Sequence, residues 1–345
     1  MKKHAIIPIF IPHRGCPNDC IFCNQKKITA RQPDVTTEDV EQIIETHLAT
    51  LENRGLSTVE VAFFGGSFTG LPMEEQSAYL SIAKKYKDAG RVDKIHMSTR
   101  PDYIDKPILE NLKRFGADVI ELGVQSFDDE VLRRSGRGHD SAVVYRSSEM
   151  IKDFGFELGI QLMIGLPADS REKCIRSAQE TVRIGPSVAR LYPTIVIDDT
   201  ELSRMYQRGE YTPLSLQEAV LRCKEMYKIL DEAGITIIRV GLKSSDIISE
   251  NGQISGNTFH PAFRQLVEGR IAREKMLSLL SDKGLSSDEH AEIVFFSGEQ
   301  SFSDMIGHKG ANRKFFLEKY PRLNISYRVN RQLKRGQYQV KIKGE

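Results

Sequence analysis

Short apolar, β-branched runs alternate with longer segments whose apolar residues recur at helical spacing over the first 240 residues. The short runs predict strands at 5–11, 59–64, 94–98, 119–124, 157–163 and 188–192, because strands of a parallel sheet are buried on both faces and need not alternate with polar residues. The longer segments predict helices at 37–51, 73–88, 106–115, 141–154 and 170–184, several preceded by Ser, Thr or Asp placed to cap the first turn. Strand and helix in strict alternation build a parallel sheet covered by helices. The expected fold class is therefore α/β, a partial (βα)6 TIM-like barrel. A helix at 215–233 and a strand at 235–240 end this first domain, residues 1–240. A Ser-, Asn- and Gly-containing loop at 246–256, a helix at 261–280 and strands at 291–296, 323–329 and 337–342 predict a small C-terminal α+β extension, residues 241–345.

The 345 residues are 40% hydrophobic, and no apolar run reaches membrane-spanning length. The first residues lack the long apolar core of a secretory signal, so the expected location is cytoplasmic. The formal charge of +2 hides an asymmetry. Residues 309–345 carry eleven Lys or Arg against Glu318 and Glu345, which leaves 38 basic and 45 acidic residues on positions 1–308. Tyr320, Tyr327 and Tyr338 lie among these cations. Such a basic tail suits phosphate contacts and base stacking on nucleic acid, or forms the solvated face of a terminal subdomain.

Three of the five cysteines, Cys16, Cys20 and Cys23, fall within eight residues just after the first predicted strand. Cys174 and Cys223 are isolated on predicted helices and read as buried bystanders. Thiolates are soft ligands for zinc or for iron–sulfur clusters. A closed zinc site needs a fourth ligand, for which His13 is the candidate. Three thiolates can instead hold three irons of a 4Fe-4S cluster and leave the fourth open.

The spacing C-x3-C-x2-C, with Phe22 just before the last cysteine, resembles the signature of the radical SAM superfamily. The resemblance implies two cofactors, a 4Fe-4S cluster and S-adenosylmethionine (SAM). It also implies reductive cleavage of SAM to a 5′-deoxyadenosyl radical, driven by a reductant such as flavodoxin or ferredoxin. The barrel becomes a radical SAM barrel on this reading. Further motifs follow the predicted strands, where parallel barrels carry their chemistry. Gly65-Gly66-Ser67 resembles the Gly-Gly-Glu loop that holds the SAM amino group, with Ser67 in place of the Glu. Gln125, Arg137 twelve residues beyond it, and Gln161 match family positions near the SAM carboxylate and ribose. Guanidinium is the group suited to bidentate carboxylate binding.

Ser98 to Tyr103, Arg190 to Ile197 and Arg239-Val240 extend the likeness to the radical SAM domain of the Elongator catalytic subunit, from about Ile7 to about Met276. That family modifies wobble uridines in tRNA. Two departures stand out. The cysteine spacing is shorter, and about 105 residues after Val240 are too few for the usual extension plus an acetyltransferase fold. Three functions are open: radical chemistry on tRNA or another RNA, radical chemistry on a small or tetrapyrrole-like molecule, and zinc-stabilised RNA binding without catalysis. Arg100, Asp102 and Tyr192, past or near the ends of strands three and six, are the candidate substrate residues. Asp102 as a helix cap and Tyr192 as packing under a loop are their scaffold alternatives. The sequence specifies no oligomeric state.

Overall fold

The predicted alternation folds as β1 (His4–Ile11), α1 (Thr37–Leu51), β2 (Thr58–Gly65), α2 (Met73–Asp88), β3 (Lys94–Thr99), α3 (Lys106–Arg114) and β4 (Val119–Gln125). It continues through a short α4 (Asp129–Arg134), α5 (Ser141–Asp153), β5 (Glu157–Ile164), α6 (Arg171–Ile184) and β6 (Val188–Pro193). Then come β7 (Val196–Ile197), α7 (Glu201–Gln207), α8 (Leu216–Glu232), β8 (Thr236–Val240) and β9 (Ile254–Ser255). This computed structural model describes residues 4–11, 16, 20–23, 35–51, 54–242, 252 and 254–343. They divide into two units, residues 1–215 with 226–259, and residues 216–225 with 260–345.

In the first unit a seven-stranded sheet runs in the order β1-β2-β3-β4-β5-β6-β8, every pair parallel, and curls into a half-barrel. Its seventh member is the apolar run expected after the sixth strand, which pairs Val188 with Thr236 along β6. The predicted loop at 246–256 lies mostly outside the described residues, and Ile254–Ser255 pairs antiparallel with β7. Side chains of Asp105, Asp128, Asp140, Ser170 and Thr200 each accept a hydrogen bond from the N–H three residues on and so start α3 to α7. Each such cap contributes about 1 kcal/mol.

Alternation along the strands gives the sheet two different faces. Ile7, Ile9, Val61, Phe63, Ile95, Met97, Ile120, Leu122, Ile160 and Leu162 are all fully buried on one face, and each such side chain contributes about 1.5–3 kcal/mol. The inner face is partly open, with Phe10 52% exposed at the edge strand. A parallel barrel filled on its outside and open within can admit a ligand to its inner wall.

The second unit comprises α9 (Phe263–Asp282), β10 (Ala291–Ser297), α10 (Phe302–Ile306), α11 (Ala311–Lys319), β11 (Leu323–Val329) and β12 (Tyr338–Ile342), with β10 central. Its core gathers Met276, Leu280, Ile293, Phe295, Met305, Phe316, Leu323 and Val340. The three tyrosines of the basic tail pack against that core. Tyr327 stacks on Phe295 at 6.0 Å, Tyr320 stacks on Phe316 at 6.0 Å, and burial pushes the Tyr327 hydroxyl up to about 12. Tyr327 and Tyr338 lie on the strand positions that alternate toward the core, Tyr320 ends α11, and all three are half-buried. Cys174 and Cys223 are buried, and among the described residues no helix is long and apolar enough to cross a membrane.

Candidate functional site

Cys16 neighbours Ser67 beyond β2, and Cys20 neighbours Arg100 beyond β3 and Arg137, which is held on Gly123 of β4. Cys20 is buried, Cys16 and Cys23 are half-buried, and the Cys23 amide closes a turn on the Cys20 carbonyl at 2.9 Å. Two backbone bonds anchor the turn, Ile21 N–H to the Ser135 carbonyl at 3.2 Å and Leu202 N–H to the Ile21 carbonyl at 2.8 Å. Phe22 packs with Val196, Leu202 and Tyr211.

Two arginines converge on the Cys20 sulfur. Arg137 Nη1 lies 3.2 Å from it and Arg100 Nη1 3.9 Å. Both guanidiniums are otherwise fixed: Arg137 Nη2 donates to the Gly123 carbonyl, and Arg100 donates to both Asp102 oxygens at 2.9 and 2.8 Å and to the Arg137 carbonyl. Arg137 Nε is buried without a partner. Burial pushes the Cys16 thiol up, against the pull of Arg100, Arg137 and the Ser67 backbone.

The Gly65-Gly66-Ser67 turn meets this segment. Gly65 has φ 111°, and a Cβ there would sit 2.4 Å from the Ile11 carbonyl oxygen, so only glycine lets the turn cross the end of β1. The Gly66 amide bonds that same carbonyl at 3.2 Å. Ser67 Oγ faces Thr99 Oγ1 at 2.8 Å and accepts from the Arg100 amide at 3.2 Å, which ties the ends of β2 and β3 together. At the end of β4 a register shift between Gly123 and Gln125 puts Gln125 in the left-handed region, φ 71°. Bulges of this kind re-aim side chains. Here Gln125 Oε1 accepts from Gln161 Nε2 at 3.2 Å across β4 and β5.

Deeper on the inner face a line of charged side chains crosses the sheet. His4 Nε2 is 3.1 Å from Glu60, His96 Nδ1 is 2.5 Å from Glu60, and His96 Nε2 faces Glu121 at 3.6 Å, an ion pair rather than a hydrogen bond. Arg190 Nε donates to Glu121 at 2.7 Å, its guanidinium covers the Phe64 ring at 4.7 Å, and its Nη1 donates to the Tyr192 hydroxyl at 3.4 Å. Burial alone would keep the His96 ring neutral, but Glu121 and Glu60 outweigh it and push the ring up to about 9. Burial likewise raises both carboxyls, and the flanking cations overcome it and hold Glu60 and Glu121 below the usual range.

Of the residues singled out in the sequence, Cys16, Cys20, Gly65, Gly66, Ser67, Arg100, Asp102 and Arg137 come together. Gln125 and Gln161 adjoin them through Gly123, whose added Cβ would lie 3.0 Å from Gln125 Nε2 and 3.8 Å from Arg137 Nη2. Tyr192 belongs to the charged line, and Phe22 turns to the Val196 cluster. Sequence reasoning missed Glu60, His96, Glu121 and Arg190 as one unit. Their signal was present: each stands alone as a charged residue amid apolar neighbours. A cavity of about 620 Å³ opens beside Asp102, Arg133, Gly138 and His139. His13 lies outside the described residues. Among the described residues no three His, Cys, Asp or Glu side chains converge on a single ion.

A family model described as the Radical SAM superfamily matches residues 10–181, and one described as the Radical SAM C-terminal domain matches 186–273. The tRNA uridine(34) acetyltransferase of Methanocaldococcus infernus is 27% identical over 255 residues, 63% of this chain and 48% of that protein. The chain thus spans about half the length of the curated acetyltransferases it matches. The heme chaperone HemW of Bacillus subtilis is 24% identical over 330 residues, 89% of this chain and 85% of that protein. Among solved structures, the archaeal Elp3 of Methanocaldococcus infernus with an N-terminal deletion superposes with a TM-score of 0.60 at 22% identity, covering 83% of this chain and 64% of that one.

Proposed function

Because the chain belongs to the radical SAM superfamily, we propose that Cys16, Cys20 and Cys23 hold its cluster and that the enzyme modifies an RNA, with tRNA the substrate class. The cofactors of the superfamily are a 4Fe-4S cluster and SAM. Held by Cys16, Cys20 and Cys23, the cluster would supply the electron for reductive cleavage of SAM.

The residues present fit that group. Three thiolates are soft donors that can hold three irons of a cluster and leave the fourth open. The orphaned Arg137 Nε beside them is a buried donor that a SAM carboxylate would satisfy. In this reading Arg137 binds the SAM carboxylate, the Gly65-Gly66-Ser67 backbone receives the amino group, and the linked Gln125 and Gln161 orient the ribose. Arg100, clamped by Asp102, keeps the Cys20 sulfur against β3 and fixes the rim where substrate enters. Tyr192, held by Arg190, faces the substrate from the inner wall, and a reductant such as flavodoxin or ferredoxin supplies the electron.

One observation carries the assignment: two guanidiniums gather on the Cys20 sulfur while Cys16 sits against Ser67. The excess of cations over residues 309–345 supports a polyanionic substrate. A second reading, a tetrapyrrole substrate, is favoured by the HemW relative, whose similarity reaches over 89% of the chain. The test is incubation of reduced, reconstituted enzyme with SAM and total tRNA, followed by nucleoside mass spectrometry. A new modified nucleoside supports the RNA reading. No new nucleoside, together with stoichiometric binding of heme in a parallel titration, replaces it with the second.

A further inference from the structure

One face of the second unit carries positive charge that no carboxylate among the described residues neutralises. Arg273, half-buried on α9, stacks over Phe315 of α11 with its guanidinium carbon 4.3 Å from the ring centre. Its hydrogen bonds go to neutral oxygens, Asn312 Oδ1 at 2.9 Å and the Ala311 carbonyl at 3.5 Å. Lys319, one turn beyond Phe315, brings Nζ to 5.7 Å from the same ring. Arg270 lies one turn before Arg273 on α9, and burial together with this like charge holds the Arg273 guanidinium below the usual arginine value.

The carboxylates that could answer these cations are engaged elsewhere. Glu268 receives Arg264 and Arg335, Glu274 receives Lys224, and Glu318 of α11 faces Lys314. Among the described residues Arg270, Arg273 and Lys319 have no ion-pair partner. A half-buried cation without a counter-ion is costly, and an arriving anion relieves the cost. The tail itself contributes less than its composition implies, since Arg335 is bound to Glu268 and Lys343 to Glu292.

We propose that the α9–α11 face, with Arg270, Arg273 and Lys319 around Phe315, is the surface that takes the sugar–phosphate backbone of the RNA. A stacked Arg–aromatic pair between free cations suits a single-stranded or looped segment, where phosphates meet the charges and an unstacked base meets the ring or the guanidinium plane. The proposal rests on the RNA reading above and deepens it by locating the contact.

The test is binding of fluorescein-labelled tRNA to the full reconstituted protein over a series of KCl concentrations. Each phosphate contact contributes about 0.7–0.9 to the slope of log affinity against log salt, so R270Q/K319Q should flatten the slope by about 1.4–1.8 and weaken binding about tenfold or more near 0.15 M salt. R331Q/K334Q removes the same formal charge from the turn before β12 and should bind as wild type does. If the double variant loses its thermal transition, K319Q alone, at an exposed position, should still flatten the slope by about 0.7–0.9. Wild-type binding by R270Q/K319Q, or an equal loss in R331Q/K334Q, overturns the assignment of the face. Failure of the unaltered protein to bind tRNA overturns the RNA reading itself.

Discussion

Replacing His96 with Gln should flatten the dependence of stability on pH above neutrality. In the folded protein His96 is buried between Glu60 and Glu121 and keeps its proton up to about pH 9, whereas the unfolded chain releases it near 6.5. Between those values the folded state holds a proton that the unfolded state has lost, so stability falls as pH rises. The contribution is fully present below 6.5 and gone above about 9, and at about 1.4 kcal/mol per pH unit it amounts to about 3 kcal/mol. Glu60 and Glu121 act in the opposite sense. Their lowered values give stability above the ordinary carboxyl range that is lost as pH falls through the folded values. At pH 7 the H96Q protein should also be less stable by about 3–5 kcal/mol, because two buried carboxylates lose the cation between them. Anaerobic urea denaturation followed by circular dichroism at pH 6, 7.5, 9 and 10 measures both effects. Wild type should lose about 3 kcal/mol more than H96Q between the ends of that range. Parallel curves for the two proteins would refute a protonated His96.

Three further outcomes follow from the site. Gly65→Ala should lower stability by about 1–3 kcal/mol in a thermal melt, because its Cβ would press on the Ile11 carbonyl; Gly116→Ala, at φ 70° with nothing within 4 Å, is the milder reference. Arg137→Ala should weaken SAM binding by about 1.5–3 kcal/mol in calorimetry with iron content unchanged, and Arg137→Lys should restore it only in part, since a point charge cannot replace a planar fork. Tyr192→Phe should keep substrate-free SAM cleavage and the melting temperature near wild type while product formation falls. A Tyr192→Phe protein that only melts earlier would make the residue scaffold.

The alternation of strands and helices was readable because it is written in local composition. Predicted β1 to β6 agree with the observed strands to within one residue at each end, and the helix at 73–88 agrees at both. The short elements α4, α7, α10 and β7 escaped because segments of two to seven residues carry too little periodicity to stand out. The resemblance to the family pointed to Arg137 and the glycine turn, which the fold brings to the cysteines. The charged line was not readable in the same way. Glu60 meets His96 across 36 positions and Glu121 meets Arg190 across 69, and no window of sequence contains either pair. The packing of the tail tyrosines was not readable, because composition cannot tell which face of an element a side chain takes. The contacts of Tyr327 with Phe295 and of Tyr320 with Phe316 are settled by the register of β10 with β11 and by the packing of α11.

The central claim is that Cys16, Cys20 and Cys23 together hold the cluster at which SAM is cleaved. The most direct measurement is iron and sulfide content, together with 5′-deoxyadenosine formation, for wild type and for C16A/C20A/C23A after anaerobic reconstitution and reduction. The account predicts about four irons and four sulfides per wild-type chain, with 5′-deoxyadenosine formed on addition of SAM, and neither in the triple variant. Retention of the cluster by the triple variant, or zinc in place of iron in the reconstituted wild type, would contradict it.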